Sequence, residues 1–96
     1  MIYQLFEVIE ERKNNPHPDS YTRALLDSGQ DRILQKIGEE STELILAASN
    51  QGSARLVEEM TDLFYHCFVL LAYRDIPLSE IENEMERRHE SKSREG

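Results

Sequence analysis

The residues best suited to chemistry are carboxylates grouped at close spacing. Glu39, Glu40 and Glu43 fall within five positions of Lys36-Ile37-Gly38-Glu39-Glu40-Ser41-Thr42-Glu43, and a second set follows in Glu58-Glu59-Met60-Thr61-Asp62. Like charges three or four residues apart on a helix repel, and the repulsion grows as they are withdrawn from water. A divalent cation held between two helices is the simplest compensation. The competing reading is a solvated acidic face, which is common on charge-rich helices and needs no ligand.

Helical periodicity decides whether these groups can converge. At about 100° per residue, Ile33, Ile37, Leu44 and Ala48 form one apolar stripe, with Lys36, Glu39, Glu40 and Glu43 along its flank and Glu40 nearest to it. On the following helix Glu59, Asp62 and His66 share a narrow sector beside Leu63 and Leu70, whereas Glu58 points away. Glu59 and Asp62 are therefore the better ligands of the second set. His66, on a mostly apolar helix, reads as a hydrogen-bonded packing residue, and Cys67 projects to a different face, so the two do not make a zinc pair.

The elements that must position these residues are helices. Ile2, Leu5, Phe6 and Ile9 recur at helical spacing and mark a first amphipathic helix. Asn14-Asn15-Pro16-His17-Pro18 interrupts it, because each proline lacks a donor and pushes its predecessor out of helical conformation. Asp19 or Ser20 can cap a short helix over Tyr21 to Ser28, closed by Gly29. Asp31 is the expected cap of a central helix from about Arg32 to Ser49, which stops at Asn50-Gln51-Gly52. Gly38, costing about 1 kcal/mol against alanine, suggests a close helix–helix approach on the apolar side. Ser53 is the expected cap of the next helix, Leu56 to Arg74, which becomes apolar almost all round from Leu63 to Tyr73. One partner helix cannot cover that surface, so two copies of the hairpin are expected to pair into a four-helix bundle. A last short helix carries Leu78, Ile81 and Met85 and ends near Arg87-Arg88-His89, with Glu90 to Gly96 expected as a mobile tail.

Composition narrows the function. Ninety-six residues, 39% hydrophobic and 31% charged, make one small domain near the size where a lone core is marginal. A formal charge of −8 argues against a nonspecific nucleic-acid or anionic-membrane surface, and a phosphate-rich substrate would need metal screening. Leu63 to Tyr73 is too short to span a bilayer. The start lacks a basic signal-peptide region, and the single cysteine, Cys67, suits a reducing cytoplasm.

Lys36-Ile37-Gly38-Glu39-Glu40-x-x-Glu43, followed by Glu59-x-x-Asp62-Leu63-Phe64-Tyr65-His66, closely resembles the phosphoribosyl-ATP pyrophosphatase family of histidine biosynthesis. The resemblance includes Leu5-Phe6-x-x-Ile9-x-x-Arg12-Lys13, Ser20-Tyr21-Thr22-x-x-Leu25-Leu26 and Glu86-Arg87-Arg88-His89, and so covers nearly the whole chain. The acidic motifs alone would be shared with the wider all-α nucleoside triphosphate pyrophosphatase superfamily. Met60-Thr61 departs from the small Ala-Ala pair of the family pattern, which leaves the acids intact and touches only local packing.

The resemblance implies an all-α dimer that hydrolyses N1-(5-phosphoribosyl)-ATP to N1-(5-phosphoribosyl)-AMP and pyrophosphate with magnesium. Glu39, Glu40, Glu43, Glu59 and Asp62 correspond to the metal-site acids, with Glu40 also expected to orient or deprotonate the attacking water. Oxygen-only ligands favour Mg2+, with Mn2+ as a substitute, over zinc. Lys36 pairs with Glu39 and Glu40 or reaches a phosphate. Tyr21, Thr22, Arg87 and Arg88, and beyond them Arg23 and Arg32, are further substrate-contact candidates, although exposed arginines are usually solvated charges. The following cyclohydrolase step, fused to this domain in many relatives, is expected from a separate chain. Two alternatives differ in what they turn over: a house-cleaning pyrophosphatase would accept ordinary nucleotides, and a non-enzymatic helical dimerisation module would accept none.

Overall fold

The computed structural model describes residues 1–15 and 20–95, with side chains to Lys92. It is all-α among these residues: α1 (Ile2–Asn14), α2 (Tyr21–Ser28), α3 (Gln30–Asn50), α4 (Gly52–Tyr73) and α5 (Leu78–Glu95). Pro16 to Asp19, including Asp19 as a cap, lie outside the described residues. Ser20 does cap α2, its hydroxyl accepting from the Arg23 backbone N–H at 3.2 Å.

Two other expected caps are not used. Asp31 lies inside α3, which starts at Gln30 behind Gly29, and Ser53 lies inside α4, which starts at Gly52 behind Gln51. Both helices are entered through a glycine with positive φ, Gly29 at 91° and Gly52 at 82°. That geometry, open to glycine without a Cβ penalty, reverses the chain abruptly and lets each helix begin before the side chain that might have capped it.

α3 and α4 form a hairpin with a single residue, Gln51, between them. Its seam on α3 runs through Ile33, Ile37, Glu40, Leu44 and Ala47, each buried or half-buried, at alternating spacings of four and three. The matching α4 seam is Leu56, Glu59, Leu63, His66, Leu70 and Tyr73. This is the 3.5-residue repeat that two long adjacent helices need to stay in register. It explains why Ala47 is buried, where the straight 3.6-residue projection chose Ala48, which is exposed. It also makes Glu40 and Glu59 seam residues. Gly38 is a further correction: it is exposed, and a Cβ built there would meet nothing within 4 Å, so it makes no close approach within this chain.

α1 lies against α4 and α2, and α2 bridges α1, α3 and α4. The core is Phe6 and Ile9 of α1, Leu25 and Leu26 of α2, Ile33 of α3, Val69 and Ala72 of α4, and Leu78. Phe6 and Phe68 meet edge to face with ring centres 6.1 Å apart. Lys13 ties α1 to the end of α4, where its ammonium donates to the Ala72 and Tyr73 carbonyls at 2.9 and 3.4 Å and to Asp75 at 2.5 Å. Cationic capping of this kind satisfies orphan carbonyls and complements the helix dipole.

α5 does not stop near Arg87–His89 as the sequence suggests. It runs on to Glu95, since no proline or glycine intervenes and Glu84 pairs forward with Arg87 and Arg88. The helix leaves the body after Leu78. Accordingly the radius of gyration is 15.5 Å, above the roughly 12–13 Å of a compact chain of this length. Between α1, α4 and α5 lies an apolar groove of about 550 Å³, lined among others by Tyr3, Phe64, Phe68, Leu71, Ile81 and Met85. No helix among the described residues is long and apolar enough to cross a membrane.

Candidate metal centre

The hairpin seam brings together one carboxylate from α3 and two from α4. Oxygens of Glu40, Glu59 and Asp62 all lie within 4.8 Å of one another. Glu40 reaches the site from a seam position, where an apolar residue would ordinarily sit. Glu59 is likewise a seam residue and only 5% exposed. Asp62, one turn on, stands at the open edge. Burial, with the fields of Asp62, Glu40 and Glu43 added, pushes the Glu59 carboxyl above the usual range, against the opposing pull of Arg55.

Glu39 and Glu43 belong to the same helix but not to this group of three. Both are exposed. Glu39 accepts from Gln35 at 3.0 Å and from Lys36 at 3.4 Å, contacts that hold its carboxyl below the usual range. Glu43 is near enough for its field to act on Glu59 and Arg55. Lys36 stands between two acids, 3.4 Å from Glu39 and 3.7 Å from Glu40. Partial burial opposes its charge, but the Glu39 hydrogen bond and the fields of Tyr21, Glu39 and Glu40 outweigh this and raise its pKa.

The hydroxyls nearby are committed elsewhere. Ser41, Thr42 and Thr61 each donate back to the carbonyl four residues earlier. Thr22 is buried with its hydroxyl on that of Tyr65, and the Tyr21 hydroxyl lies 3.1 Å from His66 Nε2. His66 Nδ1 lies 2.8 Å from the Asp62 carbonyl oxygen. Both ring nitrogens therefore have protein partners, which supports the reading of His66 as a packing residue.

None of the arginine candidates pairs with Glu40, Glu59 or Asp62 among the described residues, although Arg32 is near enough for its field to act on Glu39. Arg23 closes the end of α1, donating to the Lys13 and Arg12 carbonyls at 2.7 and 3.3 Å, and pairs with Asp27. Arg87 and Arg88 converge on Glu84 of their own helix and hold its carboxyl down at about 2. Arg32 is exposed on α3. The arginine that does reach the site is Arg55, which the sequence motifs do not single out. It pairs with Glu58 and Glu59, and its i, i+4 spacing from Glu59 is the one local signal for it.

Residues 2–89 match the family model described as phosphoribosyl-ATP pyrophosphohydrolase. The chain is similar to the phosphoribosyl-ATP pyrophosphatases of Bacillus cereus and Bacillus anthracis, being 55% identical to each over 92 residues that cover 96% of this chain and 86% of the relative. Similarity to the enzyme of the same name from Bacillus mycoides is 53% over the same coverage.

Proposed function

This chain belongs to the phosphoribosyl-ATP pyrophosphohydrolase family, and from that premise we propose that it hydrolyses N1-(5-phosphoribosyl)-ATP to N1-(5-phosphoribosyl)-AMP and pyrophosphate, the second step of histidine biosynthesis. The observation that carries the reading at the site is the convergence of Glu40, Glu59 and Asp62 from two facing helices. The donor set suits a hard cation such as Mg2+, with Mn2+ as a substitute. It is made of carboxylate oxygens, the imidazole nearby has both nitrogens engaged, and the thiol of Cys67 lines the apolar groove instead.

Glu59 and Asp62 would hold the cation, with Glu43 and Glu39 as further acids of the same site. When bound, the cation supplies Lewis-acid stabilisation of charge on the phosphoryl and leaving pyrophosphate oxygens. Glu40 orients the attacking water or takes its proton on a carboxylate oxygen, a reading supported by its half-buried seam position beside the Lys36 ammonium. Lys36 is also the cation nearest the acids on α3 and would turn to a substrate phosphate. Tyr21 and Thr22 act by shaping the α2–α4 junction, and Arg87 and Arg88 would have to leave Glu84 to contact substrate.

A homodimer forms part of this reading. Leu34 and Ile45 on α3 and Val57, Met60 and Phe64 on α4 leave exposed apolar stripes on the hairpin, which supports pairing of two hairpins into a four-helix bundle. The free thiol of Cys67 fits a reducing cytoplasm.

Pyrophosphate release with Mg2+, comparing phosphoribosyl-ATP with a panel of ordinary nucleoside triphosphates, tests the assignment. Turnover confined to phosphoribosyl-ATP is expected. Broad turnover would move the chain to a house-cleaning role with the same acids, and no turnover would leave a structural module.

A further inference from the structure

Arg55 stands near the start of α4, one turn before Glu59. One guanidinium nitrogen donates to Glu58 at 2.7 Å and the other to Oε1 of Glu59. The arginine side chain is 46% exposed, whereas that of Glu59 is 6% exposed. The guanidinium therefore sits at the mouth of the acid cluster, with the field of Glu43 from α3 also acting on it. Two features show that its helix does not hold it there. A cation near a helix N-terminus opposes the dipole, and a cation four residues before an acid is the weaker of the two pair orientations. The acids themselves are what retain it.

We propose that Arg55 is the counter-ion of the unloaded acid cluster and competes with the divalent cation for Glu59, so that it sets the affinity of the metal site. This rests on the metal-binding reading given above and adds to it a residue outside the ligand set. A dication that takes Oε1 of Glu59 must first displace the guanidinium, which can withdraw toward solvent while keeping Glu58. The acids thus have a compensating charge before metal arrives, and its removal is part of the cost of loading. Arg55 is accordingly a positioning residue, acting on the cation through Glu59.

The test is calorimetric titration of the full chain with MgCl2 at constant ionic strength, without nucleotide, for the parent, Arg55→Gln and Arg55→Lys. Removing a unit charge several ångströms from a dication in a largely aqueous setting should tighten the dissociation constant roughly three- to tenfold in Arg55→Gln. Arg55→Lys keeps the charge and should stay within about twofold of the parent. An unchanged or weaker constant in Arg55→Gln overturns the proposal and leaves the metal site standing, as does an Arg55→Lys protein that binds as tightly as Arg55→Gln. Absence of saturable binding in all three proteins overturns the metal reading and the proposal together.

Discussion

The hydroxyl of Tyr21 and Nε2 of His66 lie 3.1 Å apart, joining the short α2 to the middle of α4 at a histidine that is 5% exposed. His66 Nδ1 donates to the Asp62 carbonyl oxygen, so Nε2 is left as the acceptor for the tyrosine hydroxyl. Tyr21→Phe should cost about 0.5–1.5 kcal/mol in a urea melt, toward the lower end because water can reach the half-exposed ring. The Mg2+-induced rise in Tm should be unchanged. A large loss of Mg2+ response with intact stability would instead make Tyr21 part of the site.

Glu40 and Asp62 belong to one cluster but have different proposed roles. Glu40→Gln should lower kcat by about 10²-fold or more while keeping most of the Mg2+-induced rise in Tm. Asp62→Asn should lose that rise. If Glu40→Gln turns over like the parent, Glu40 does not receive the proton.

The raised pKa of Glu59 has a signed consequence for stability. Relative to the ordinary value of 4.5, the folded state holds the proton more tightly, so this group's contribution is fully present below about pH 4.5 and lost as pH rises through the folded value. In EDTA, Glu59→Gln should therefore match the parent in acid and become more stable than it toward neutral pH. Thermal melts across that range read the difference between the two proteins, which cancels the opposing titration of Glu84. A gap independent of pH would contradict the assignment.

Phe64 is 50% exposed on the α4 stripe and also lines the apolar groove. If the proposed dimer forms, Phe64→Glu should convert it to monomer in sedimentation velocity, since a charge there cannot be buried against a second hairpin without a partner. A parent protein that sediments as a monomer at micromolar concentration would remove the four-helix bundle from the functional reading.

Ile33 is fully buried where α3 meets the core. Ile33→Val should lower stability by about 0.5–1.5 kcal/mol, with activity unaffected at temperatures well below Tm. A change under a few tenths in the urea midpoint energy would mean that this position is looser than its burial implies.

Much of this molecule was legible in the chain itself, because helical periodicity is a local property. The apolar spacing in Ile2 to Ile9, the breaks at Gly29 and Gln51-Gly52, and the shared sector of Glu59, Asp62 and His66 all follow from residues within a turn or two of one another. The family motifs are local strings as well, and the family they point to is the one that the chain belongs to.

What required the tertiary structure was anything set by two helices at once. Periodicity alone puts Glu40 nearest the apolar stripe, but its meeting with Glu59 and Asp62 depends on the register of the hairpin, whose 3.5-residue seam carries Glu40 and not Glu39 or Glu43. Arg23 and Lys13, ordinary cations in the sequence, are drawn to carbonyls at helix ends that exist only once α1, α2 and α4 have packed. Arg55 is one more cation in the sequence, and only the burial of Glu59 beneath it gives its position a meaning. A side chain's face on its own helix is fixed by a few torsions nearby, but its partners are fixed by packing between segments far apart in the chain.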